Sequence, residues 1–334
     1  MSDKVKGVLL EAGAINRGDL SFKPLEKYVD LTIYENTTES DKYDHIGDAE
    51  VVFVNKVIMD DELFCRCPNI KYIGVCATGF NVIDLEAARN RGIVVTNVPA
   101  YSTDSVVQLA WSMILEMTCN LRIHNESVKA GDWEKSDVFC YWLEPIMELS
   151  GKTLGIVGYG NIGRKVAKIA ETFGMKVLVH TAHPEKYENI NGGQECLFDG
   201  DNNIKFVSLD ELFNQSHIIS LHCPLTDDTK EIINKDNISK CKDGVMLVNV
   251  SRGGLVNEGD LRDALISGKV KKAAVDVVSF EPMRSDNPLK DAPNIIITPH
   301  MAWASLEARK RLVNVVASNY ENFLNGKGIN IVND

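Results

Sequence analysis

The chain has 334 residues, 44% hydrophobic and 25% charged, and 36 Lys and Arg against 47 Asp and Glu give a net charge of −11 at pH 7. That length suits two cores better than one. The acidic balance excludes most of the surface as a partner for nucleic acid or anionic lipid, and no apolar run approaches the roughly 20 residues of a membrane span.

The eight cysteines are scattered, and only Cys65 and Cys67 lie close together, a spacing poorly suited to zinc. Reduced thiols and no metal site are expected. The N-terminal stretch shows no signal-peptide cleavage pattern, so a cytoplasmic location is expected.

In the first hundred residues, strands are expected at 7–10, 31–34, 51–54, 72–75 and 93–95, with helical character between them, as at 83–90. Alternating β and α predicts parallel sheets with crossover helices. Segment 104–121 is apolar on nearly every side, which predicts a buried helix, between domains or in a subunit interface. Segment 128–149 carries Trp133, Phe139, Tyr141 and Trp142 and reads as a loop or arm that covers something. A second αβ series begins at Gly151, with strands expected at 154–157, 176–180, 218–221, 245–250, 273–278 and 295–298. Residues 305–324 then form one amphipathic helix. That tail is explained if a unit of residues 104–300 is inserted into a smaller one made of 1–103 and 301–334.

The strongest local motif is Gly158-Tyr-Gly160-Asn161-Ile162-Gly163. It follows an apolar strand and opens a helix whose Ile162, Val166, Ala170 and Phe173 are expected to face inward, the setting a dinucleotide fingerprint requires. Gly158 would make the tight turn, Gly160 would admit a pyrophosphate, and Gly163 would let helix pack on strand. The acid that usually reads the ribose about 20 residues on is replaced by Thr181, with His183 and Lys186 nearby. NAD(H) is favoured because no Arg stands there, and NADP(H) stays open.

Three segments then add chemistry: Val248-Asn-Val250-Ser251-Arg252-Gly-Gly, Val275-Asp276-Val-Val-Ser-Phe-Glu281-Pro, and Ile297-Thr-Pro-His300. Each lies at or just after the C-terminal end of an expected strand, where α/β sheets place ligands. A guanidinium can hold a planar carboxylate and steady charge developing on a carbonyl oxygen, and an imidazole exchanges protons near neutral pH.

With the dinucleotide loop, these segments resemble the signature regions of the D-2-hydroxyacid dehydrogenases, over essentially the whole chain. The resemblance implies an α/β protein of two Rossmann-like domains with parallel sheets, the nucleotide-binding one inserted in the smaller substrate domain. It also implies a homodimer. Arg252 would hold the substrate carboxylate and carbonyl oxygen, His300 would be the general acid in reduction, and Glu281 would hydrogen-bond His300 and favour its protonated form. Thr78 and Gly79, in Ala77-Thr-Gly-Phe-Asn81, would meet the carboxylate. His222-Cys223-Pro224, Val250, Ser251, Asp276 and Thr103 would lie beside the coenzyme, together with Arg252 and His300.

The runs Asn55-Lys56-Val57, Tyr101-Ser-Thr-Asp-Ser, Phe139-Cys-Tyr-Trp142 and His300-Met-Ala-Trp303 further resemble the glycerate dehydrogenase branch. That implies hydroxypyruvate or glyoxylate as the 2-keto acid, with Lys56 as a substrate contact and Trp142 or Trp303 as a lid. Lactate-like or branched 2-keto acids are the alternative within the class. A nucleotide-sensing interaction module, as in corepressors resembling this family, is the alternative outside it.

Overall fold

The computed structural model describes residues 4–187 and 204–334. The chain divides into two compact units, Met1–Thr103 with Trp303–Asp334, and Asp104–Ala302.

The first unit holds β1 (Lys6–Leu9), β2 (Asp30–Ile33), β3 (Val51–Val54), β4 (Tyr72–Val75) and β5 (Val94–Thr96), all parallel, in the order β2-β1-β3-β4-β5. Strand β3 shows why its sequence reads as a continuous apolar run. Val52 and Val54 enter the core on one face of the sheet, while Val51 and Phe53 enter the core on the other. A parallel sheet covered on both faces needs such runs. The helix Leu306–Leu324 covers the second face through Leu312, Val313, Val316 and Tyr320, and Ser305 caps it by accepting from the Ala308 N–H.

The second unit holds β6 (Thr153–Val157), β7 (Lys176–His180), β8 (Ile204–Phe206), β9 (Ile218–Leu221), β10 (Val245–Asn249), β11 (Val270–Val275) and β12 (Ile295–Ile297). They form one parallel sheet in the order β12-β11-β10-β9-β6-β7-β8. The chain runs outward from β6 in one direction and resumes at β9 on its other side, so the order reverses between β6 and β9. Open α/β sheets carry ligands beyond the strand ends at such a switch.

Several expectations differ in detail. The apolar segment after residue 103 is two helices, Thr103–Cys119 and Leu121–Lys129, because Asn120 takes φ +56 between them. The first buries Val107, Ala110, Ile114 and Met117 in the core of the second unit, against Leu154, Ile156 and Val248. The arm accordingly begins only after Lys129. Strand β8 was not anticipated; its residues are only partly buried or exposed. Phe173 is 40% exposed and stacks on Trp111, at the end of the helix rather than on its inward face. Among the described residues no helix is long and apolar enough to cross a membrane.

Candidate functional site

The strands of the second unit end in register. Ile297, Val275, Asn249, Leu221, Val157 and His180 form one hydrogen-bonded row across the sheet. The next residues in the chain are Thr298, Asp276, Val250, His222, Gly158 and Thr181. Five of these six are residues singled out in the sequence, so strand pairing alone lines them along one edge. Backbone bonds fix the edge: Gly158 N–H donates to His180 O at 2.8 Å, His222 N–H to Val157 O at 2.7 Å, and Asp276 N–H to Asn249 O at 2.9 Å.

At the switch point, Gly158 takes φ +96, and a Cβ there would lie 2.5 Å from the Cys223 nitrogen. A Cβ at Gly163 would lie 2.2 Å from Gly158 O, so this glycine lets the helix Asn161–Thr172 start against the strand. Gly160 differs from both. A Cβ there would meet nothing within 4 Å, so no packing inside the protein requires the glycine. Gly160 is the N-cap and no side chain caps the helix; the N–H groups of Asn161 and Ile162 meet no acceptor among the described residues. Open space before uncapped amides at a helix N-terminus suits a pyrophosphate. The residues present therefore fit a dinucleotide.

His222 and Cys223 form the far wall of this turn. The His222 ring is bonded to Ser220 Oγ at 2.8 Å through Nε2, and its packed surroundings push its pKa down to about 4, leaving it neutral. Burial pushes the Cys223 thiol up to about 11, so it too stays uncharged. Pro224 is exposed beyond them. Tyr159, inside the glycine motif, packs edge-on against Tyr187 and Phe206 at 5.1 and 5.2 Å. This aromatic support was not anticipated, because Phe206 lies on the unanticipated strand β8.

Arg252 follows β10. The Asn249 side chain, fully buried, donates to Arg252 O at 2.8 Å and accepts from Ser251 N–H at 3.1 Å, while Ser251 Oγ donates to Cys223 O at 2.6 Å. A Cβ on Gly253 would lie 1.9 Å from the Val278 carbonyl carbon, so the Arg252 loop is pressed onto the chain leading to Glu281. The guanidinium itself is exposed; Nη1 donates to Ser251 O at 2.8 Å and its other nitrogens meet no acceptor among the described residues.

Glu281 and His300 are brought together, with Oε2 and Nδ1 2.5 Å apart, and Val278 N–H donates to Glu281 Oε1 at 3.2 Å. His300 has φ +51, a left-handed conformation that costs a non-glycine residue about 1–3 kcal/mol and persists only when its surroundings enforce it. Asp276 does the enforcing. Its carboxylate, 1% exposed, accepts from Thr298 Oγ1 at 2.5 Å and from the Met301 and Ala302 N–H groups at 2.8 Å each, while Asp276 O accepts the His300 N–H. Asn249 and Thr298 were not singled out in the sequence. The available signal was a polar residue ending an apolar strand run.

The remaining residues lie in the first unit, except Trp142 and Thr181, the latter partly exposed just after β7. Thr103 Oγ1 donates to Ala100 O at 3.1 Å. The Thr78 hydroxyl donates to Val98 O and its carbonyl accepts from the Asn97 amide, which pins the loop; the N–H groups of Thr78 and Gly79 meet no acceptor among the described residues. Lys56 is exposed, and among the described residues its ammonium meets no carboxylate. Trp303 packs edge-on against Tyr101, and Trp142 is 66% exposed.

Residues 111–302 match the family described as D-isomer specific 2-hydroxyacid dehydrogenase, NAD binding domain. The chain is 46% identical to hydroxypyruvate reductase of Blautia hydrogenotrophica, over 98% of this chain and 100% of that protein. It is 39% identical to glycerate dehydrogenase of Methylorubrum extorquens, over 90% of each. The crystal structure of D-lactate dehydrogenase from Aquifex aeolicus complexed with NAD and lactic acid aligns with a TM-score of 0.79 at 29% identity, covering 98% of this chain and 99% of that one. The parallel sheet with its dinucleotide turn, the paired His300 and Glu281 and these similarities agree: the chain belongs to the D-isomer specific 2-hydroxyacid dehydrogenase family, oxidoreductases that act on the CH–OH group with a nicotinamide coenzyme.

Proposed function

We propose that this chain reduces hydroxypyruvate to D-glycerate, and glyoxylate to glycolate, with NADH. The observation that carries the reading is the Glu281–His300 pair at 2.5 Å on a loop held by Asp276, with Arg252 on the neighbouring strand end. Its support for the substrate is the 46% and 39% identity to a hydroxypyruvate reductase and a glycerate dehydrogenase.

The coenzyme, when bound, supplies the hydride. Each remaining task falls to the chain. Arg252 binds the substrate carboxylate and steadies the charge that develops on the carbonyl oxygen. Because Glu281 holds His300 through Nδ1, Nε2 is the nitrogen left to donate a proton to that oxygen, and to take it back in the oxidative direction. The open N–H groups of Thr78 and Gly79 and the Lys56 ammonium are the further substrate contacts. Asn161, Ile162 and the three glycines hold the pyrophosphate, Thr181 lies at the ribose, and Thr103, His222, Cys223, Pro224, Val250, Ser251 and Asp276 border the rest of the coenzyme.

NADH is favoured over NADPH because no Arg stands beside Thr181 and the Glu185 carboxylate, 3.1 Å from the His183 ring, would repel a 2′-phosphate there. Two further parts of the reading concern assembly and location. The arm leaves Phe139, Trp142, Leu143 and Ile146 more than half exposed, which supports a homodimer that covers them. The seven described cysteines are unpaired, which supports the cytoplasm.

The test is the absorbance of NADH at 340 nm with hydroxypyruvate, for the protein and its His300→Ala variant. Saturable oxidation that the variant loses is expected. Faster reduction of pyruvate or a branched 2-keto acid would transfer the protein to the lactate-type reading, and coenzyme binding without turnover of any of them would refute an enzymatic role.

A further inference from the structure

The first unit has its own switch point. In the order β2-β1-β3-β4-β5 the chain reverses between β1 and β3, where such sheets leave a crevice for a ligand beyond the strand ends. Here the chain fills the crevice itself. Glu11, two residues past β1 and 8% exposed, turns its carboxylate onto the segment following β3. Its Oε2 accepts from the Asn55, Lys56 and Val57 N–H groups at 2.8, 2.7 and 3.1 Å. Three successive amides converging on one point form an anion-binding concavity, and its anion is supplied by the protein.

We propose that Glu11 is a positioning residue for substrate recognition, fixing the Lys56 loop by occupying the amide nest at the β1/β3 switch point. The inference rests on the reading of Lys56 as a substrate contact. With its N–H already committed to Glu11, Lys56 has only its ammonium to offer a substrate, and the nest is closed to the substrate's own carboxylate. Other contacts complete the clamp. Lys42 Nζ, on a buried side chain, approaches Ile58 O at 3.4 Å, and Met59 N–H donates to Val82 O at 2.9 Å, tying this loop to the one that carries Thr78 and Gly79. Glu11 also lies close enough to Cys76, at the base of that second loop, to raise the thiol's pKa further than burial alone does, to about 12.

The test uses Glu11→Ala, Glu11→Gln, Lys56→Ala and the double variant Glu11→Ala/Lys56→Ala. Steady-state kinetics with hydroxypyruvate and NADH are read alongside amide hydrogen exchange at residues 55–57. Glu11→Ala is expected to raise KM for hydroxypyruvate about tenfold or more, with kcat and the KM for NADH within about twofold. Glu11→Gln keeps an acceptor oxygen and should recover part of that loss. Because Glu11 acts through Lys56, the double variant should lie within about twofold of Lys56→Ala. Exchange at 55–57 should quicken about tenfold in Glu11→Ala. Multiplying effects in the double variant, or an unchanged KM despite faster exchange, would overturn the proposal. If Glu11→Ala fails to fold, Glu11→Gln carries the test with a severalfold rise in KM and faster exchange. If the wild-type protein leaves hydroxypyruvate untouched, the substrate reading falls on its own; the clamp is then decided by exchange, and unchanged exchange in Glu11→Gln refutes it.

Discussion

Replacing Asp276 by Asn separates two roles for a residue proposed to border the coenzyme. Both carboxylate oxygens accept bonds from the chain: one from the Thr298 hydroxyl and the Met301 N–H, the other from the Ala302 N–H. The amide oxygen of Asn can serve the first pair. Its NH2 group would then face the Ala302 N–H, donor against donor, at a buried position. Losing a hydrogen bond to a charged acceptor costs about 1.5–3 kcal/mol, and the orphaned N–H keeps the total near the upper end. At about 2–4 °C per kcal/mol for a unit of roughly 200 residues, Tm should fall by about 6–12 °C. The loop would also be freed to leave the strained conformer at His300. A positioned general acid contributes about 10²–10⁴ in rate, so an acid displaced rather than removed should cost about a hundredfold in kcat, the lower end of that range. The assay is NADH oxidation with both substrates varied, beside a thermal melt. A stabiliser of the His300 loop loses kcat and Tm together with little change in KM for NADH. A raised KM for NADH with kcat and Tm intact would refute this account and leave Asp276 as a coenzyme contact only.

Glu281→Gln keeps the shape of the pair and removes the charge that faces the His300 ring; kcat should drop about ten- to hundredfold, for a charged bond of about 1.5–3 kcal/mol. The two later glycines should behave oppositely. Gly163→Ala forces a Cβ against Gly158 O and should cost about 1–3 kcal/mol by denaturant unfolding, whereas Gly160→Ala should leave stability intact and weaken NADH binding in a fluorescence titration. Acid should destabilise the fold through His222. Between its folded pKa of about 4 and its ordinary 6.5 the unfolded chain binds more protons, so stability falls with falling pH across that window by up to about 3 kcal/mol. His222→Asn should flatten that slope in urea melts at pH 7 and pH 4.5.

Reading the sequence located what depends on neighbours in the chain. The runs that became β3 and β6 are buried at every position, so their composition alone marked them. The glycine motif carries its own geometry, and Arg252, Glu281 and His300 each stand a few residues past an apolar strand. What escaped depends on distant partners. Glu11 reaches residues 44–46 positions away, so nothing beside it in the chain marks it as the occupant of a nest. Asp276 was noticed for where it lies, while its bonds to residues 22–26 positions on had no trace in local pattern. The left-handed Asn120 divided a helix that hydrophobicity made continuous, and β8 escaped because it is short and never fully buried.

The row of strand ends has a consequence for how such a protein can diversify. Gly158, His222, Asp276 and Thr298, just past the row, are tied by main-chain bonds to the neighbouring strands, so their placement depends little on side-chain identity farther along each loop. Insertions or exchanges beyond Arg252, Glu281 and His300 can remodel the surroundings of a substrate while the register beneath stays fixed. The edge therefore fixes where the segments carrying Arg252, Glu281 and His300 set out and leaves the chain beyond them to adapt for recognition, which is the division of labour that lets one scaffold acquire new specificities without rebuilding its chemistry.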